Sequence, residues 1–352
     1  MKININRGNF MKTKILVAAL AAGMVAAPSA QAAVEVSGQV NVAALFGSAP
    51  DDLTVVDNNT TGTRVRFKAN KKFGGGFKIG SNFELQAQFN QSNDAGEIGG
   101  NGANNISEEA LTNGPFREVR IANVWLSGAF GKVGIGRGNG AANGTAEAVG
   151  LLNFLGGNEA HLLFNGVGTD FSDVDGNSRT NRVRYDSPNW SGFRFAVTLN
   201  SGDEQELGLF YDKKGSFGKV RVRAGFTTGE GDESTVDFSV AWKSSFGLGL
   251  NYSTGERDVA NGITTTENDW FLASWHFGKH YLISIGRGEE TERSSETGAQ
   301  EGGENEFTLL SAVWKPVDGA EIYLNYGDWT NNVIADENDD SNAFGLGARF
   351  KF

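Results

Sequence analysis

Cysteine is absent from all 352 residues, which excludes a disulfide framework and any thiolate metal site. The three methionines lie within the first 24 residues, and the three histidines (His161, His276, His280) are too few and scattered for a clear metal centre. No Ser/His/Asp constellation stands out, so neither an enzyme nor a cofactor site is expected. Asp173-Val-Asp175-Gly176 looks like part of a calcium loop, but Phe171 and Arg182 occupy its first and twelfth ligand positions. Gly136-Arg-Gly138-Asn-Gly-Ala141 imitates a dinucleotide motif without the helical period that should follow it. Proline is scarce: beyond the leader only Pro50, Pro115, Pro188 and Pro316 remain, each in or beside a connection. Long apolar runs are also missing after residue 32, so any membrane crossing must be made by strands closed into a barrel.

Residues 1–32 read as a secretory signal peptide. Lys2, Arg7, Lys12 and Lys14 precede an apolar run from Ile15 to Ala27, and Ala30 and Ala32 flank Gln31, which predicts cleavage after Ala32. Met11 is an alternative start. The apolar run is shorter than the roughly 20 residues of a transmembrane helix, which argues against an anchor. Without this segment the chain has 27 basic groups against 42 acidic ones, a formal net charge of −15 that disfavours a nucleic-acid partner.

From Val34 onward apolar and polar residues alternate with period two. Val65, Phe67 and Ala69 interleave with Arg64, Arg66 and Lys68, and Ile79, Phe83 and Leu85 with Lys78, Asn82 and Glu84. The pattern predicts sixteen strands, near 34–46, 62–72, 77–90, 118–129, 132–138, 181–188, 193–200, 205–213, 219–228, 234–244, 247–256, 268–277, 281–289, 305–315, 320–330 and 342–352. Seven short Gly-rich turns fall on one side and eight longer connections on the other. That asymmetry, with aromatics such as Tyr185, Trp190, Tyr281, Trp314 and Trp329 near strand ends, indicates an all-β, 16-stranded antiparallel transmembrane β-barrel spanning 33–352. A barrel of this size is too wide for side chains to fill.

The longest interruption, residues 138–180, reads as a loop folded into the barrel. Arginines lie on the polar side of many strands, among them Arg64, Arg66, Arg137, Arg182, Arg184, Arg194, Arg221, Arg223, Arg287 and Arg349. Arg137, Arg182 and Arg184 flank the loop root and are candidates for a pore constriction. Strand 118–129 is apolar on both faces (Ile121, Ala122, Val124, Trp125, Leu126), so parity does not place Arg120. Cover by the loop inside and a neighbouring subunit outside would account for it.

Four patches resemble the general trimeric porins of Gram-negative outer membranes: Phe73-Gly-Gly-Gly-Phe-Lys-Ile79, Phe130-Gly-Lys-Val-Gly-Ile-Gly-Arg137, Val183-Arg-Tyr-Asp-Ser-Pro-Asn-Trp-Ser-Gly-Phe193 and Phe344-Gly-Leu-Gly-Ala-Arg-Phe-Lys-Phe352. Their order covers the whole mature chain. The resemblance implies a homotrimer in the cell outer membrane, in contact with lipid and lipopolysaccharide, with Phe352 presented to the outer-membrane assembly machinery. It also implies a third external loop, 138–180, facing an arginine ladder drawn from Arg64, Arg66, Arg120, Arg182 and Arg184. Enteric members carry a glutamate at the loop tip where this chain has Phe154, leaving Glu147, Glu159, Asp170 and Asp173 as loop carboxylates. The expected function is passive diffusion of small hydrophilic solutes and ions, with anion preference at the constriction. A substrate-selective channel for phosphate or organic acids is the alternative, and a barrel platform for adhesion is a third. Acidic loops such as 336–340 are read as solvated rather than as cation sites.

Overall fold

The computed structural model describes residues 33–49, 52–88, 90–92, 118–146, 151–153, 155–165, 174–176, 178–200, 204–229, 233–258, 264–294, 300–332 and 338–352. The signal peptide and both candidate starts lie outside these residues, as does the acidic stretch 336–337.

The described chain is a closed, 16-stranded antiparallel barrel. In chain order its strands are β1 (Ala33–Gly47), β2 (Thr54–Asp57), β3 (Arg64–Phe73), β4 (Phe77–Gln86), β5 (Glu118–Gly128), β6 (Gly131–Asn139), β7 (Arg179–Asp186), β8 (Phe193–Asn200), β9 (Gln205–Gly215), β10 (Gly218–Thr228), β11 (Ser234–Lys243), β12 (Leu248–Asp258), β13 (Thr264–Phe277), β14 (Tyr281–Ser294), β15 (Gln300–Trp314), β16 (Ala320–Asn332) and β17 (Asn338–Lys351). Seventeen segments make sixteen staves because β2 and β3 share one. β3 pairs with Ala33–Gln39 of β1 and β2 with Val42–Leu45, and a 3-10 turn at Asn59–Thr61 joins the two pieces. Gln39 Nε2 donates to the Thr61 carbonyl at 2.5 Å and Asn41 Nδ2 to the same oxygen at 3.1 Å, so the interruption leaves its carbonyls satisfied.

Closure is made by β1 against β17, with Val40 opposite Phe350. Past the last ladder pair, Gly38 N donates to Phe352 O at 2.8 Å and Phe352 N returns to Gly38 O at 3.1 Å. Both ends of the barrel chain therefore meet at the turn end. Seven short turns occupy that end, and Gly75 and Gly76 (φ 74° and 78°) supply the left-handed conformations that the tight β3–β4 turn requires.

Strands β13 to β17 run longer at the loop end than the apolar alternation indicates. Ladder pairing continues to Thr264↔Ser294 and to Asn332↔Asn338, through polar residues. The apolar pattern marks only the belt that faces lipid, while backbone pairing proceeds beyond it.

One face of every strand points outward with large exposed apolar side chains, such as Ile285, Leu324 and Leu346. The other face points into the barrel and is covered over much of its area by the insertion between β6 and β7. Ala142 N donates to Glu206 on β9 at 2.8 Å, and Thr145 Oγ1 to Asp237 on β11 at 2.8 Å. Ser284 on β14 donates to the Gly156 carbonyl at 2.6 Å, and Asn325 on β16 to the Leu155 carbonyl at 3.0 Å. These contacts sweep across successive strands on the inner face alone.

The inner face of β13 to β17 is apolar where the insertion meets it. Leu155, Leu163 and Phe164 are fully buried with Trp270, Leu272, Leu282, Phe307, Leu309 and Trp329. The Phe164 ring lies 6.2 Å from Phe307 and 6.0 Å from Trp329. A Cβ at Gly327 would press on the Phe164 ring at 2.9 Å, so glycine there lets the loop lie flush.

This corrects the expectation for strand 118–129. The described insertion seats on β9 to β17, not on β5. The β5 interior carries instead Trp125, with Lys132 Nζ 5.0 Å over its ring, and Asn123. A register shift against β4 at Glu84/Leu85 places Arg120 inward, which is why simple parity failed there.

Phe164→Ala should cost about 3–5 kcal/mol at this seat, as large-to-small changes in packed cores do. The expected readout is a red-shifted tryptophan emission and a noisier single-channel current from a barrel that still resists detergent. Unchanged emission and noise would mean that the seat does not hold the loop.

Candidate pore constriction

Between the insertion and the opposite wall lies a cavity of about 1070 Å³. The wall contributes two arginine groups. In the first, the carboxylate of Glu84 on β4, almost wholly buried, is shared by three guanidinium groups. Arg120 Nε approaches Oε1 at 3.0 Å, Arg64 approaches the same oxygen at 3.4 Å, and Arg66 bonds Oε2. Arg64 also donates to Thr61 Oγ1 at 2.6 Å and to the Gly62 carbonyl at 3.0 Å, and Arg120 to Gln86. Period-two alternation places these side chains on one face, and antiparallel register sets Arg66 opposite Glu84 and Arg64 opposite Gln86.

The second group lies on β8 to β10. Asp212 accepts from Arg221 Nε and from Arg223, both at 2.9 Å, with Arg194 at 3.8 Å. The guanidinium groups of Arg194 and Arg223 sit 5.0 and 5.2 Å from the centre of the Phe210 ring, a cation–π arrangement that fixes their planes. Arg179, at the start of β7, and Lys351 complete the basic lining.

The insertion faces this wall with Asn143, Glu159, Leu162 and Asp175. Asp175 is oriented by the Gly144 N–H, which donates to its Oδ2 at 2.5 Å, and the turn that carries Glu159 is tied down by Ser92 Oγ, which donates to the Leu162 carbonyl at 2.9 Å. Among the described residues, eight basic side chains line the cavity against four acidic ones (Glu118, Glu159, Asp175, Asp212). Even with Glu84 counted behind its arginines, the described lining is net positive in a chain whose formal net charge is −11.

The expected constriction residues divide. Arg64, Arg66, Arg120 and Glu159 line the cavity together. Arg182 and Arg184 turn away to clamp the loop root. Arg182 Nε donates to the Asn139 carbonyl, Arg184 donates to the Gly140 and Asn139 carbonyls, and an ion pair at 2.8 Å joins Arg184 to Asp186. Arg137 shares the outward parity of Ile135 and pairs with Glu118 at 2.7 Å, apart from the Glu84 group. Glu147, Phe154, Asp170 and Asp173 lie outside the described residues.

Sequence reasoning placed Arg194, Arg221 and Arg223 on the inner face without assigning them to the constriction, and missed Arg179, Glu84 and Asp212. The pairing of Arg221 with Asp212 follows from the β9–β10 register once the hairpin turn is known.

A hollow antiparallel barrel with short turns at one end, an apolar outer belt and a charged internal passage has the architecture of a membrane channel. The family model for the Gram-negative porin matches residues 17–352, and the chain belongs to that family. Among solved structures it is similar to a loop L8 deletion mutant of OmpT from Vibrio cholerae (16% identity, 91% of this chain and 99% of the other, TM-score 0.64). It is also similar to an anion-selective porin from Comamonas acidovorans (17%, 92% and 100%, TM-score 0.60) and to Salmonella typhi OmpF in complex with daunomycin (13%, 91% and 97%, TM-score 0.62). No curated protein sequence matches it significantly. The chain is an outer-membrane porin, a channel for passive diffusion of small solutes.

Glu84→Gln should leave three guanidinium groups without their shared anion and shift the zero-current potential in a potassium chloride gradient toward anions. A folded variant with an unchanged potential would show that Glu84 does not set the charge of the passage.

Proposed function

We propose that this porin is a size-limited diffusion channel with anion preference, its narrowest part lying between the 138–180 insertion and the arginines of β3 to β5 and β8 to β10. The observation that carries this reading is the two-to-one excess of basic over acidic side chains among the described residues around the passage. Charges within about a Debye length, roughly 8 Å at physiological salt, dominate an ion at the constriction over the acidic exterior. Solutes pass by diffusion without covalent chemistry, and no catalytic role is assigned to any residue.

Homotrimer assembly, lipopolysaccharide contact around the loop end and recognition of Phe352 by the outer-membrane assembly machinery belong to the same reading. A trimeric solved neighbour supports the first of these, and the exposed Phe352 ring beside the β1–β17 seam is accessible for the last. A substrate-selective anion channel is the second reading. It is favoured by the fixed planes of Arg194 and Arg223 over Phe210, which suit a bound carboxylate or phosphate better than a passing ion.

Replacing Arg221 and Arg223 with Gln tests the reading. The permeability ratio should move toward potassium by about threefold, a shift of the size that one or two lost charges in a partly screened site produce. An unchanged ratio would remove this wall from the selectivity element, and a conductance that saturates with phosphate but not with chloride would favour the substrate-selective channel.

A further inference from the structure

The turn end of the inner wall carries a row of lysines. In the β9–β10 register Lys219 lies directly opposite Lys214, and in the β10–β11 register it lies directly opposite Lys243. Lys214 shares the inward parity of Asp212, and Lys219 that of Arg221 and Arg223, so the three ammonium groups project into the lumen from adjacent strands. Like charges at directly opposed positions repel, and a sheet ordinarily separates them or interposes a carboxylate. Here no carboxylate among the described residues is within ion-pair distance of any of the three.

Lys243 donates instead to Nδ1 of His276 at 3.1 Å. An ammonium has no acceptor, so this ring nitrogen carries no proton there and the imidazole is a neutral partner. The histidine therefore supplies no counter-charge to the row. The row also stands two ladder pairs, one inward-facing step, to the turn side of Arg221 and Asp212, at the mouth of the arginine-lined passage.

We propose that Lys214, Lys219 and Lys243 form an anion-docking ladder at the turn-side mouth. It takes small solutes bearing two or more negative charges, of the phosphate or polycarboxylate class, and delivers them to Arg221 and Arg223. Three ammonium groups on flexible stems act as point charges that adapt to such anions, whereas the stacked arginines beyond are held in fixed planes. A singly charged ion gains little from three separate cations, but a polyanion contacts several together. The ladder acts on solutes entering from the turn side or leaving toward it, and on those entering from the loop side only after the constriction. The proposal rests on the open-pore reading above.

The test is single-channel recording of the intact protein in potassium chloride with inorganic pyrophosphate added to one side at a time. One side should block at a lower concentration than the other. Replacing all three lysines with Gln should raise that side's half-blocking concentration about tenfold, the sum of three modest exposed ion pairs, and leave the other side unchanged. The triple Lys→Arg variant should retain the asymmetry, which separates lost charge from a misfolded barrel. Equal block from both sides, or an asymmetry that survives the Gln substitutions in a conducting channel, would overturn the ladder. Absence of any conductance in the unmodified protein would overturn the pore reading itself.

Discussion

A strand that crosses hydrocarbon has no water to satisfy its backbone, so every N–H and C=O in the span must find a partner on a neighbouring strand. Only a closed ladder meets that demand, and the rest of this molecule follows from closure. Sixteen staves enclose more space than side chains can fill. The seam between β1 and β17, continued by the reciprocal Gly38–Phe352 hydrogen bonds, is where the chain completes the ring. The split stave of β2 and β3 shows how strict the requirement is, since Gln39 and Asn41 take up carbonyls where the ladder is broken.

The enclosed space is divided unequally. One arc of the inner wall, on β13 to β17, carries the apolar patch that holds Leu155, Leu163 and Phe164 of the insertion. The facing arc, β3 to β5 and β7 to β10, lines the remaining passage with arginines. The two arcs depend on each other. An unseated loop would leave Trp270, Phe307 and Trp329 facing water, and a seated loop brings Glu159 and Asp175 opposite the arginines. Burial on one side thereby fixes electrostatics on the other. The carboxylates Glu84 and Asp212 hold their guanidinium groups by charge-assisted hydrogen bonds, stronger than neutral ones, which keeps those planes fixed while leaving net positive charge for the solute.

Barrel class, strand number, the seven short turns and the position of the long insertion were all legible in the sequence, because period-two alternation and Gly-rich turns are local signals. Non-local pairing was less legible. The apolar residues of β13, β15 and β16 on the inward parity, Trp270, Phe307 and Trp329, contradict a polar lumen unless the loop that covers them is known, and that loop is more than a hundred residues earlier. Arg120 was ambiguous because one bulge at Glu84/Leu85 changes the parity of everything beyond it. Arg182 and Arg184 were placed on the correct face, but whether an inward arginine points at the passage or at the carbonyls of Asn139 and Gly140 is a matter of side-chain reach that period alone does not record.

The account turns on the insertion being seated on the inner wall of the conducting channel. The chain has no cysteine, so a pair introduced at Gly156 and Ser311 would form the sole disulfide. A Cβ at Gly156 stands 3.3 Å from the Ser311 Cβ, close to disulfide spacing. Oxidation of the folded double variant should cross-link it nearly completely, visible as a mobility shift on a denaturing gel, with conductance and ion preference unchanged. A folded, conducting protein that failed to cross-link, or one whose conductance collapsed once cross-linked, would place the loop elsewhere in the working pore and contradict the account.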